Sequence, residues 1–178
     1  MDGERDGALL AAALGRRLGG LTFTDLSTDR VTALIVDAVA AWARERGWRV
    51  YRRAPSVLPL PPPMADRHSV LDVACARPDG PPVVVEVDHT DRRRTWEKLA
   101  AEVAAGRVAI WVRWGAGRFV APPAPLHLVT CEVTRRAGPP GVGRLHSRSP
   151  SVDRPPPRHC APGAGVAVVA PLPLPEQF

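Results

Sequence analysis

Three carboxylates and one lysine are the residues best equipped to do chemistry. Asp72 lies in the segment Val70 to Ala76, and Glu86 and Asp88 lie fourteen and sixteen residues further on, in Val83 to Asp88. Both segments otherwise have the composition of buried strands. Asp and Glu are depleted from strands, and burying a carboxylate without a partner is costly. Side chains alternate along a strand, so Glu86 and Asp88 share a face, which Asp72 joins if its strand is a neighbour. Acids gathered this way repel one another unless a cation lies between them. Residue type and placement thus point to a divalent-metal site. The alternative is that Asp72 and Glu86 face solvent from a half-covered sheet and Asp88 merely ends a strand. Val83 to Val87 is apolar at both parities apart from Glu86, the pattern of a strand covered on both faces, which favours the metal site.

Lys98 is the only lysine, against 23 arginines. Arginine stays protonated near neutral pH whereas a lysine can be tuned to lose its proton, so a lone lysine ten residues past the acids is a candidate for a role beyond charge. At about 100° per residue, an apolar stripe of Trp96, Leu99, Ala100 and Val103 puts Lys98 on the other side of its helix, from which it must lean round to reach the acids.

The elements that position these residues follow from periodicity. Residues 7 to 18 predict a short helix stopped by Gly19-Gly20, and Leu21 to Thr28 a polar connector with Ser27 and Thr28 as cap candidates. Val31, Leu34, Ile35, Ala38, Val39 and Trp42 recur at helical spacing up to Gly47. Trp48 to Arg53 alternates as a strand. The five prolines of Pro55 to Pro63 predict a loop or polyproline excursion. The two acid-bearing strands are joined across Pro78-Asp79-Gly80, a turn signal that makes them antiparallel neighbours and brings Asp72 toward Glu86 and Asp88. Thr90 to Gly106 predicts a helix, Val108 to Trp114 an apolar strand, and Leu126 to Val133 a further short one. Residues 137 to 165, rich in Gly, Pro, Ser and Arg, predict disorder, with a short apolar element at 164 to 170. Three regions result: an N-terminal helix and connector over 1–28, a core domain over 29–135, and a largely disordered tail over 136–178.

A core ordered αβββαβ, with an acid on its second strand, an E-x-acid on its third and a lysine on the next helix, resembles the PD-(D/E)xK nuclease superfamily, the restriction-endonuclease-like fold. The resemblance spans roughly residues 29 to 114, and VVVEVD, WEKL and VAIWVRW look like bacterial members of it. It implies an α/β fold with a mixed central sheet flanked by helices, in which Asp72 and Glu86 bind a divalent metal, usually Mg²⁺ or Mn²⁺. Two departures stand out. Leu71 precedes Asp72 where the motif has proline, and Asp88 takes the place of the usual lysine, so Lys98 corresponds to a lysine moved to the following helix. The implied chemistry is hydrolysis of a phosphodiester in DNA, or in RNA. Asp72, Glu86 and Asp88 would hold the metal, and Lys98 would orient water or neutralise developing charge. The alternative is an inactive binding module on the same fold.

Other residues are candidates with bland competitors. Arg92, Arg93 and Arg94 could grip phosphates, or form a solvated first helical turn, although positive charge there opposes the helix dipole. His89 adjoins the acids but also reads as a strand-end residue, and His68 has a weaker claim. Trp48, Trp96, Trp111 and Trp114 fit core packing better than base stacking, with Trp96 and Trp111 in apolar stripes.

Composition sets outer bounds. The formal charge is +6, which permits a polyanionic partner but also follows from an arginine-rich, high-GC bacterial composition. Three cysteines without CxxC spacing suggest neither a disulfide framework nor a zinc knuckle, and a reducing cytoplasm fits. The apolar run Ala8 to Leu14 is far short of the roughly 20 residues of a membrane span, so no membrane association is expected. Oligomeric state is not written in the pattern.

Overall fold

Ser27 opens the strongest helix as its position predicts: its backbone is extended and its hydroxyl accepts from the Arg30 N–H. In the computed structural model, which describes residues 2–149, that helix is α2 (Thr28–Arg44). Around it run α1 (Asp2–Gly19), β1 (Phe23–Ser27), β2 (Arg49–Pro59), β3 (His68–Ala76), β4 (Val83–Asp88), α3 (Arg93–Ala104), β5 (Val108–Gly115), β6 (His127–Glu132), β7 (Thr134–Ala137) and β8 (Arg144–Arg148). Gly47 and Gly106, with φ of +73° and +79°, follow α2 and α3 where a left-handed residue ends a helix at least cost.

The chain is an α/β protein. A five-stranded sheet has the order β2-β3-β4-β5-β6, antiparallel through its first three strands and parallel from β4 to β6. A three-stranded sheet, β1-β8-β7, stands beside it. The element order from α2 to β5 is helix, three strands, helix, strand, and β3 pairs antiparallel with β4 as the short turn requires.

Two apolar layers cover the large sheet. On one side Leu14 and Leu18 of α1 and Val31, Ile35, Val39 and Trp42 of α2 pack with Val73, Val85, Val87, Ile110, Val112 and Trp114. On the other, Leu99 of α3 joins Leu71, Val84, Ala109 and Trp111. β4 and β5, covered on both faces, are buried nearly end to end, which explains their high Val, Ile and Trp content.

Several expectations are corrected. Leu21 to Thr28 is not only a connector, since Phe23–Ser27 pairs with β8. Pro55 to Pro59 belongs to β2 rather than a loop. β2 is an edge strand, where a missing N–H leaves no ladder bond broken. Residues 144 to 148, expected to be disordered, form β8, whose apolar content is slight but whose backbone is paired on both sides by β1 and β7. The rest of the expected tail from 150, including 164–170, lies outside the described residues. α1 is an integral layer of the core, because Leu14 and Leu18 are fully buried against the sheet. No helix among the described residues is long and apolar enough to cross a membrane.

Candidate functional site

The regular β3–β4 ladder has its last pair at Val73 and Val85. One step on, Asp72 stands opposite Glu86, and their side chains replace the backbone bonds. The Val87 N–H donates to Asp72 Oδ2 at 2.8 Å, and the Asp72 N–H donates to Glu86 Oε1 at 3.1 Å. Each carboxylate thus caps the strand bearing the other. Where the ladder ends lies a cleft of about 590 Å³ lined by Asp72, Glu86, Asp88 and Lys98 and by residues from the N-terminal ends of α2 and α3. The three acids predicted to converge therefore line one cleft.

Lys98 reaches them directly. Its Nζ lies 2.8 Å from Glu86 Oε2 and donates to the Val70 carbonyl at 2.5 Å. The expected helix phase is corrected here. The buried residues of α3 are Thr95, Lys98, Leu99 and Glu102, while Trp96 is 39% exposed, so Lys98 occupies the inward stripe that Trp96 had been assigned. Charged groups can hold that position because both are paired: Lys98 with Glu86, and the fully buried Glu102 with Ser56 Oγ at 2.5 Å, the Val57 N–H at 2.8 Å and Arg107 at 2.5 Å. Glu102 thereby ties β2 to α3, one turn from Lys98.

The electrostatics follow from depth. Burial pushes the Glu86 carboxyl up to about 7, and the opposing pull of Lys98 does not offset it, with Asp72 adding repulsion. Asp72 is also raised by burial, against the Val87 N–H and Lys98. Asp88 is anchored differently, by Trp111 Nε1–H donating to its Oδ2 at 3.1 Å. Trp111 therefore combines the expected core role with a polar one.

Among the described residues no three His, Cys, Asp or Glu side chains are arranged as a group to hold a metal ion. Both Glu86 oxygens are engaged, one by the Asp72 N–H and one by Lys98. Asp72 and Asp88 each use one oxygen internally and keep the other without a partner among the described residues. Hard carboxylate oxygens facing a cleft suit Mg²⁺ or Mn²⁺ in kind, and a third protein ligand requires Glu86 to exchange its Lys98 contact.

The arginine triplet divides. Arg92 and Arg94 line the cleft, Arg94 also donating to the Pro59 carbonyl and lying 3.8 Å from Glu97, whereas the Arg93 side chain is 91% exposed and bonded to Glu97. Arg92 precedes α3 without capping it through its side chain, and the first turn carries no acid, so the helix terminus is left positive. His89 lines the cleft and lies against Trp114, with ring centroids 5.4 Å apart; His68 instead faces the Ser56 carbonyl. Trp114 is fully buried, and Trp48 packs edge-on against Trp42. Five polar cleft residues were missed from sequence: Thr28, Asp29, Thr32, Arg53 and Thr95. In sequence, Thr28 reads as a cap and Arg53 as the end of an alternating strand. Compared with known proteins, the chain matches no family model, no curated protein and no solved structure.

Proposed function

We propose that this protein is a divalent-metal-dependent nuclease of the PD-(D/E)xK kind that hydrolyses phosphodiester bonds in DNA, with RNA as the second candidate substrate. The observation that carries this is the contact of Lys98 with Glu86 inside a cleft that Asp72 and Asp88 also line. A backbone phosphate enters past Arg92 and Arg94, which neutralise flanking charge. Asp72 and Asp88 would hold Mg²⁺ through their free oxygens, with Glu86 as the third ligand. The bound ion would supply a more acidic water and positive charge at the phosphate oxygens. Lys98, fixed by the Val70 carbonyl, presents a cation beside the acids to counter negative charge developing on the phosphate oxygens. Trp111 and the Val87 N–H keep Asp88 and Asp72 in orientation.

One observation favours the alternative, a non-catalytic nucleic-acid-binding module: both Glu86 oxygens already have protein partners. Incubation of the full chain with DNA and Mg²⁺ or Mn²⁺ separates the two. Cleavage abolished by Asp72→Ala or Glu86→Ala supports the nuclease, and metal-insensitive binding without cleavage supports the module.

A further inference from the structure

Two non-glycine residues among those described have a positive φ, Asp25 at +54° and Arg53 at +51°. For a side-chain-bearing residue this conformation is uncommon and carries strain. At Asp25 local contacts account for it, since both carboxylate oxygens are held by Arg136, at 2.8 and 2.7 Å, and the N–H donates to Ser147. Arg53 has no such compensation. It is exposed and has no acid in salt-bridge contact among the described residues, whereas its neighbour Arg52 is paired with Asp37 at 2.5 Å.

What distinguishes Arg53 is its position. β2 and β3 pair Arg52 with Val73 and Ala54 with Leu71, which sets Arg53 opposite Asp72. Asp72 in turn stands opposite Glu86, and Glu86 pairs with Trp111. The strained residue thus sits in the same cross-sheet row as the acids, at the point where the strands change their facing. Leu71 packs on the α3 side although Val73, two residues away, packs on the other. Arg53 lines the cleft, and its charge slightly opposes the burial that raises the Asp72 carboxyl.

We propose that Arg53 is a substrate-positioning residue whose left-handed backbone turns its guanidinium into the cleft to bind a nucleic-acid phosphate beside the acid cluster. A planar guanidinium suits a phosphate because it gives two parallel hydrogen bonds, and an open cleft leaves it unpaired until the ligand arrives. With Arg92 and Arg94 on the α3 side, it places positive charge on both walls flanking the acids. The inference rests on the nucleic-acid reading of the cleft.

The test is fluorescence anisotropy of a labelled DNA duplex with the full chain in EDTA, so that binding is read without cleavage. Arg53→Gly and Arg53→Asn both accept a positive φ, and both remove the guanidinium. Each is expected to weaken binding by about tenfold or more with a melting temperature equal to or above that of wild type. Arg49→Ala, on the same strand outside the cleft, should bind within about twofold of wild type, the scale of a surface change away from the phosphate contacts. Wild-type affinity in both Arg53 variants overturns the role of Arg53 alone. A melting temperature that drops in both variants also overturns it, because Arg53 would then be a structural residue. Absence of DNA binding by wild type overturns the functional reading of the cleft together with this inference.

Discussion

Lys98 and Glu86 form an ion pair of 2.8 Å with less than a tenth of either side chain exposed, where the β3–β4 ladder ends. Removing one partner of such a pair leaves the other charge buried and unsatisfied. Lys98→Met should therefore destabilise the protein by about 3 kcal/mol near pH 8. Below pH 6 the loss should be smaller, since Glu86, raised to about 7 by burial, takes up a proton there. Urea unfolding at the two pH values checks both figures.

The same carboxyl makes wild-type stability depend on pH. Its folded value of about 7 exceeds the ordinary 4.5, so between these values the folded state binds more protons than the unfolded one. Stability contributed by Glu86 is fully present below pH 4.5 and is lost as pH rises through 7, by at most about 3 kcal/mol. Glu86→Gln cannot titrate. In EDTA, the stability difference between pH 5 and pH 8 should shrink in this variant, and an unchanged difference would show that Glu86 titrates normally.

Glu102 is fully buried with three partners from β2 and from Arg107. Glu102→Ala should cost about 3 kcal/mol and loosen the β2 arm over α3. Hydrogen exchange at Val57, whose N–H donates to Glu102, should speed up before exchange at the β4–β5 core does.

The arginines of α3 should separate by position. Arg92→Ala and Arg94→Ala should each weaken DNA binding and lower the slope of log K against log salt by about 1. Arg93→Ala should leave the slope unchanged, because that side chain points to solvent beside Glu97. Equal effects at all three positions would make the basic charge diffuse rather than aimed at the cleft.

Most of the framework was legible because its signals are local. The spacing of Val31 to Trp42, the Pro78-Asp79-Gly80 turn and the apolar runs of β4 and β5 each specify their own element. That Asp72, Glu86 and Asp88 line one cleft followed from strand alternation and a tight antiparallel turn. The phase of α3 was not legible, because hydropathy ranks Trp96 above Lys98 and Glu102, and only the partners supplied by β4 and β2 make those two charges the buried ones. β8 was hidden for a related reason. Arg144–Arg148 lacks an apolar face and depends on backbone pairing with β1, more than a hundred residues earlier. Arg53 was unmarked, because nothing in Arg52-Arg53 indicates which arginine adopts a positive φ.

The acid and lysine cluster is most directly tested by single-turnover cleavage of DNA by the full chain in Mg²⁺, comparing wild type with Asp72→Asn. Wild type should cut only when Mg²⁺ or Mn²⁺ is present, and Asp72→Asn should be slower by about a hundredfold or more. Wild type that binds DNA but never cuts it with either metal, or cleavage indifferent to Asp72→Asn, would contradict the assignment of this cleft as a nuclease site.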